Sequence, residues 1–109
     1  GLELGDIVYT SWGYDMTHVE FFEVTKLIGK TMVEIREVYG VAKYDKGGNG
    51  FTGSTAPMPG EFVEDEEPKR RVAKDGAIKI DDVRTAWKLG YETVETIRVY
   101  EPKYFNKLD

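Results

Sequence analysis

Two long stretches rich in β-branched and aromatic residues, His18 to Ile28 and Thr31 to Val41, meet at Gly29-Lys30. Glycine at the first loop position suits a type II′ hairpin turn, so the segment predicts a pair of long antiparallel strands. In the second stretch Val33 and Ile35 point one way and Glu34 and Arg36 the other, which leaves one face wet. The first stretch alternates less cleanly. Phe22 and Val24 share one parity while Val19 and Phe21 hold the opposite one. Either both faces are covered or a bulge shifts the phase; the pattern favours a strongly curved strand with partial cover on both faces.

The rest of the chain reads mostly as β around this hairpin. Leu4 to Trp12 begins with the turn pair Gly5-Asp6, then sets Ile7 and Tyr9 on one face and Val8 and Thr10 on the other. Gly13 to Thr17 is a tight reversal. Residues 45–60 carry five glycines and two prolines, which predicts a loop. The acidic run Glu61–Glu67 and Pro68 extend that loop to about 45–68. Val72 to Ile80 predicts a hairpin turning at Lys74-Asp75-Gly76, with Ile78 and Ile80 inside. Asp82 to Leu89 predicts one or two helical turns: Asp81 or Asp82 as N-cap, Val83, Ala86 and Trp87 at helical spacing, and Gly90 as the stop. Thr93 to Tyr100 predicts a final strand ended by Pro102. The fold class is therefore mainly β: a small SH3-like curved antiparallel barrel with one short helical insertion, an OB-like barrel being the alternative.

A length of 109 residues argues for a single domain over 1–109. Leu, Ile, Val and Phe number 27, about a quarter of the chain and above the roughly 20% level associated with disorder. The formal charge of −5 excludes a generally cationic nucleic-acid binder, though not a local basic patch. Without cysteine, disulfides, thiolate nucleophiles and cysteine-held metals are excluded. No apolar run approaches the ~20 residues of a membrane span, and no signal-peptide pattern opens the chain. The expectation is a cytoplasmic protein that does not engage membranes.

Chemistry-bearing residues are densest in Ser11-Trp12-Gly13-Tyr14-Asp15-Met16-Thr17-His18. Rigid aromatics and directional polar groups around a glycine turn have the composition of recognition surfaces. Trp12 and Tyr14 fit a binding role and a barrel-capping role equally, whereas Asp15 fits an Asx-turn better. His18 is the only histidine. It lacks the companion ligands of a metal site, and a catalytic role would need an orienting carboxylate and a nucleophile. Glu20, Glu23, Glu34 and Glu37 lie on the central hairpin and read as an ordinary charged strand face. Lys69, Arg70, Arg71, Lys74 and Lys79 are the one basic concentration; with Trp12 or Trp87 nearby they could hold single-stranded nucleic acid. The preceding acidic run works against that by local pairing.

The stretch Gly5 to Val24 resembles a group of small proteins of bacteriophages and related mobile elements that carry an S-W-G-Y-D-Q-T-N motif before an acidic-aromatic strand. Ser11, Trp12, Gly13, Tyr14, Asp15 and Thr17 match, continuing through Val19, Phe21 and Val24. Met16 and His18 stand in place of glutamine and asparagine. Pro59-Gly60-Glu61-Phe62 and Arg70-Arg71-Val72 resemble a second segment of the group, while Trp87-Lys88-Leu89-Gly90 replaces its W-D-G turn. The group has no established activity, so the resemblance implies an origin and no mechanism.

Together these readings predict a non-enzymatic binding module that contacts a host or defence protein through the 11–18 turn. The candidate binding residues are Trp12, Tyr14, Asp15, Thr17, His18, Lys69, Arg70, Arg71 and Trp87, with no cofactor, no metal and no catalytic residue expected. A protein partner is favoured over nucleic acid by the net charge, and the oligomeric state is open between monomer and dimer. The alternatives are a small single-stranded nucleic-acid binder using residues 69–74, and a small-ligand pocket or enzyme around Asp15 and His18.

Overall fold

The computed structural model describes residues 1–13, 17–47 and 50–106. Ten strands follow one another: β1 (Ile7–Trp12), β2 (His18–Ile28), β3 (Met32–Tyr44), β4 (Thr52–Phe62), β5 (Lys69–Lys74), β6 (Ala77–Lys79), β7 (Thr85–Lys88), β8 (Tyr91–Val94), β9 (Ile97–Tyr100) and β10 (Lys103–Asn106). The long β2–β3 hairpin organises them. Its second strand serves two neighbours: Met32 to Ile35 pair with β5, whereas Gly40 to Tyr44 pair with β4. The first of these contacts completes a ring in the order β3-β2-β1-β7-β6-β5 and back to β3. The result is a closed six-stranded antiparallel barrel, in which no ring strand is left as a free edge. β4 and β10 continue the sheet beyond the ring as an arm on the far half of β3.

Side-chain parity fills both faces of the hairpin. Val8, Phe22, Val24, Val33, Ile35, Ile78, Ile80 and Ala86 form the barrel interior, with Ala73 packed against them. The opposite parity of β1 to β3 supplies Ile7, Phe21 and Val38 to a second cluster, which Leu89 and Tyr100 cover. β2 is thus apolar on both sides. A bulge between Val24 and Lys26 adds the local bend.

The covering hairpin β8–β9 is fastened by Asp6. This carboxylate is 1% exposed; it accepts hydrogen bonds from Arg98 Nη1 at 2.9 Å and from the Glu3 amide at 2.8 Å. The Tyr100 hydroxyl donates to the Gly5 carbonyl at 3.2 Å. A buried charge is tolerable only when paired in this way.

Three expected elements are corrected. No helix occurs among the described residues, and Thr85–Lys88 is strand β7. Asp81 does accept the Val83 and Arg84 amides, at 3.0 and 2.8 Å, but this Asx turn feeds a strand. Ala86 is needed inside the barrel opposite Ile78, and three residues at helical spacing do not outweigh ring closure. The predicted 45–68 loop contains β4. Gly53 serves close packing here, since a Cβ at that position would lie 2.2 Å from the Lys43 carbonyl oxygen. Pro57 is the last paired residue before the break in the β3–β4 register, and Pro59 lies within it, between the pairs Gly40–Pro57 and Val38–Phe62, a setting that limits the loss of ladder donors. Finally, the expected strand from Thr93 to Tyr100 is split by a turn at Glu95-Thr96, both with positive φ (50° and 77°). By contrast, the Asp75-Gly76 turn forms as expected, with φ of 55° and 79°.

Candidate functional site

At one end of the barrel the apolar interior gives way to a polar layer. Thr10 and Glu20 face each other across β1–β2, and Glu37 stands beside Phe22 on β3. These positions continue the inward parity of Val8, Phe22 and Ile35. Two carboxylates are therefore aimed into the mouth. Arg84, on the β6–β7 connection, reaches over it: Nη1 donates to Glu20 and Nε donates to Asp81 Oδ2 at 2.8 Å. Its guanidinium lies 5.3 Å from the centroid of the Trp12 ring. On the rim, Trp12 and His18 are cross-strand partners, and their rings stack with centroids 5.3 Å apart.

A groove of about 440 Å³ opens from this layer. Trp12, His18, Glu20, Glu37 and Tyr39, from β1 to β3, line it together with Thr55 and Phe105 from the arm. Gly40 sets how close the arm can come, because a Cβ there would lie 2.6 Å from Thr55 Oγ1 and 3.1 Å from the Phe21 ring. The backbone of Thr17 exchanges two hydrogen bonds with Asn106, at 2.8 and 3.1 Å, which ties the 11–18 turn to β10.

The two inward glutamates differ in partnership. Glu20 holds Arg84, yet burial still pushes its carboxyl above the ordinary value, with Arg84 opposing. Among the described residues the Glu37 side chain has no hydrogen-bond or ion-pair partner. Burial in the groove, together with the nearby Glu20 and Glu66 carboxylates, raises it to about 7. Lys69 and Arg84 oppose this more weakly, from a distance.

Of the residues singled out in the sequence, the structure brings Trp12, Thr17 and His18 together along the groove. Tyr14 and Asp15 lie outside the described residues. The basic segment is dispersed. Lys69 Nζ is 3.7 Å from Glu66, and Arg70 Nε is 3.8 Å from Glu34. Arg71 donates to the Ile80 and Arg70 carbonyls. Trp87 is 52% exposed and sits beside Val72, Lys74 and Lys79 in a shallow depression away from the mouth groove. No group of three or more potential metal ligands occurs among the described residues.

Glu20 and Glu37, read from the sequence as part of an ordinary charged strand face, belong to the groove, as do Arg84 and Tyr39, which the sequence did not single out. For the glutamates a signal existed: Glu20 lies two residues before Phe22, and Glu37 two residues after Ile35, so both share the parity of core positions. Glu23 and Glu34, by contrast, are conventional surface groups; they accept from the Gly60 amide and the Thr25 hydroxyl. No protein-family model, curated protein or solved structure matches the chain.

Proposed function

We propose that this chain is a non-enzymatic binding module of phage or mobile-element origin. On this reading it works in the cytoplasm and holds a host or defence protein with the mouth groove and the 11–18 turn. The barrel serves as an SH3-like frame (OB-like in the alternative), a use argued by analogy of architecture. One observation carries the reading: Trp12, on the rim of a groove, keeps 37% of its surface exposed. A large aromatic held rigid by neighbours and still open to solvent is the usual form of an interface anchor. The unpaired carboxylate below it favours a protein partner, because phosphates would be repelled from the groove.

Capture from a bacterial host lysate, with and without nuclease, tests the reading when Trp12→Ala is run beside the parent. The variant is expected to lose a nuclease-resistant partner while its thermal midpoint falls by much less than the roughly 3–5 kcal/mol of a core tryptophan implies. Retained capture by Trp12→Ala would refute it. Single-stranded nucleic-acid binding is the second reading, supported by exposed Trp87 next to Lys74 and Lys79. Retention that is nuclease-sensitive and falls steeply with salt would favour it instead.

A further inference from the structure

Resting on the proposed reading of the groove as a protein-binding site, we infer that the groove takes a single arginine side chain of the partner, its guanidinium paired with the Glu37 carboxylate and flanked by Trp12 and Tyr39. Three features converge on this chemistry. First, the two inward glutamates differ: Glu20 is paired with Arg84, whereas Glu37 has no ion-pair partner among the described residues. Second, the half-buried Glu37 carboxylate lines the groove and neither of its oxygens has a hydrogen-bond partner among the described residues, and a carboxylate with both oxygens unengaged suits the two parallel donors of a guanidinium better than the point charge of an ammonium. Third, the adjoining surface is aromatic. Trp12 is already engaged by the His18 ring and by the Arg84 guanidinium, each at 5.3 Å, so it flanks the site with its remaining exposed surface, and the 49%-exposed Tyr39 on the groove lining is the ring available for stacking. Planar cations stack on such faces.

A bound guanidinium would complete the arrangement electrostatically. The groups around Glu37 are the Glu20 and Glu66 carboxylates, which disfavour its ionisation, Lys69 and Arg84, which favour it, and His18 and Tyr39, which line the same groove. An added cation in contact with Glu37 shifts this balance decisively towards the ionised carboxylate. Binding therefore releases a proton near neutral pH and strengthens as the pH rises.

The probe is a capped peptide, Gly-Gly-Arg-Gly-Gly, compared with the same peptide carrying citrulline, which keeps the shape of arginine and removes its charge. Amide and indole NMR shifts are followed for the intact chain. The arginine peptide is expected to move signals of Trp12, His18 and Val38, with affinity about tenfold above that of the citrulline peptide. Glu37→Gln should erase that difference while leaving the rest of the spectrum in place. Equal shifts from both peptides, no shift from either at any soluble concentration, or unchanged binding by Glu37→Gln would overturn the inference. So would a lysine peptide that binds as well as the arginine one. The two levels of reading fail separately. A partner lost by Trp12→Ala but kept by Glu37→Gln removes the arginine inference alone, and Glu37-dependent peptide binding without any captured protein removes the proposed function alone.

Discussion

Replacing Glu37 by glutamine is expected to stabilise the protein at alkaline pH while impairing its binding. The folded carboxyl is raised from 4.5 to about 7, so the folded state holds its proton more tightly than the unfolded state does. Stability from this group is fully present below pH 4.5 and is lost as pH rises through about 7. At about 1.36 kcal/mol per pH unit, the shift sets a ceiling of roughly 3.4 kcal/mol. Solvent in the groove screens the charge, so the effective cost at pH 8 is about 1–2 kcal/mol. Glutamine keeps the shape and never ionises. Glu37→Gln should therefore match the parent near pH 4.5 and exceed it at pH 8 by that amount, on the order of 5–10 °C in melting temperature for a domain of this size. Circular-dichroism melts across this range provide the assay. A variant that is equally stable, or less stable, at pH 8 would refute the claim that Glu37 is desolvated and unpaired. A gain in stability combined with a loss of binding is the exchange expected of a group retained for function.

Three further substitutions examine the frame around the site. Asp6→Ala leaves the Glu3 amide without its acceptor and removes the Arg98 and Lys88 pairings; it should cost about 1–3 kcal/mol in denaturant unfolding and expose the β8–β9 hairpin to proteolysis first. Gly40→Ala drives a methyl group into Thr55 and Phe21 and should cost about 1–3 kcal/mol, with NMR shifts centred on the groove wall. Thr96→Gly relieves a β-branched residue held at φ of 77° and should gain about 1 kcal/mol, seen as a higher denaturation midpoint with unchanged groove signals.

How much of this fold is legible in the sequence depends on how local each determinant is. The β2–β3 pair and the Asp75-Gly76 turn are written in short-range chemistry, through β-branched runs and a residue pair suited to positive φ. The Glu95-Thr96 turn is not. Neither residue favours positive φ, and the reversal is imposed by Tyr91 and Tyr100, which pack together over the second cluster with rings 5.4 Å apart. β7 is also non-local, since Ala86 is a strand residue only because the ring needs a sixth member between β6 and β1. Likewise, Gly53 reads as a loop residue until Tyr44 is known to lie across from it, with the Lys43 carbonyl oxygen against the place of a Cβ.

The site shows the same division. Trp12 and His18 stand out by composition, and their stacking follows from the register of β1 on β2. Glu37 does not stand out, because a charged residue on a strand is normally a solvated one. The distinguishing fact is one of phase. Val33, Ile35 and Glu37 fall on successive inward positions, so the carboxylate occupies the place where the next core residue would go. A sequence selected for stability alone would put an apolar residue there, closing the mouth over Phe22. Two inward carboxylates and one resident arginine occupy it instead, and the raised carboxyl of Glu37 reflects its burial there beside Glu20 and Glu66. The conflict between pattern and residue type at position 37 is the sequence feature that best marks the mouth groove on which the proposed function rests.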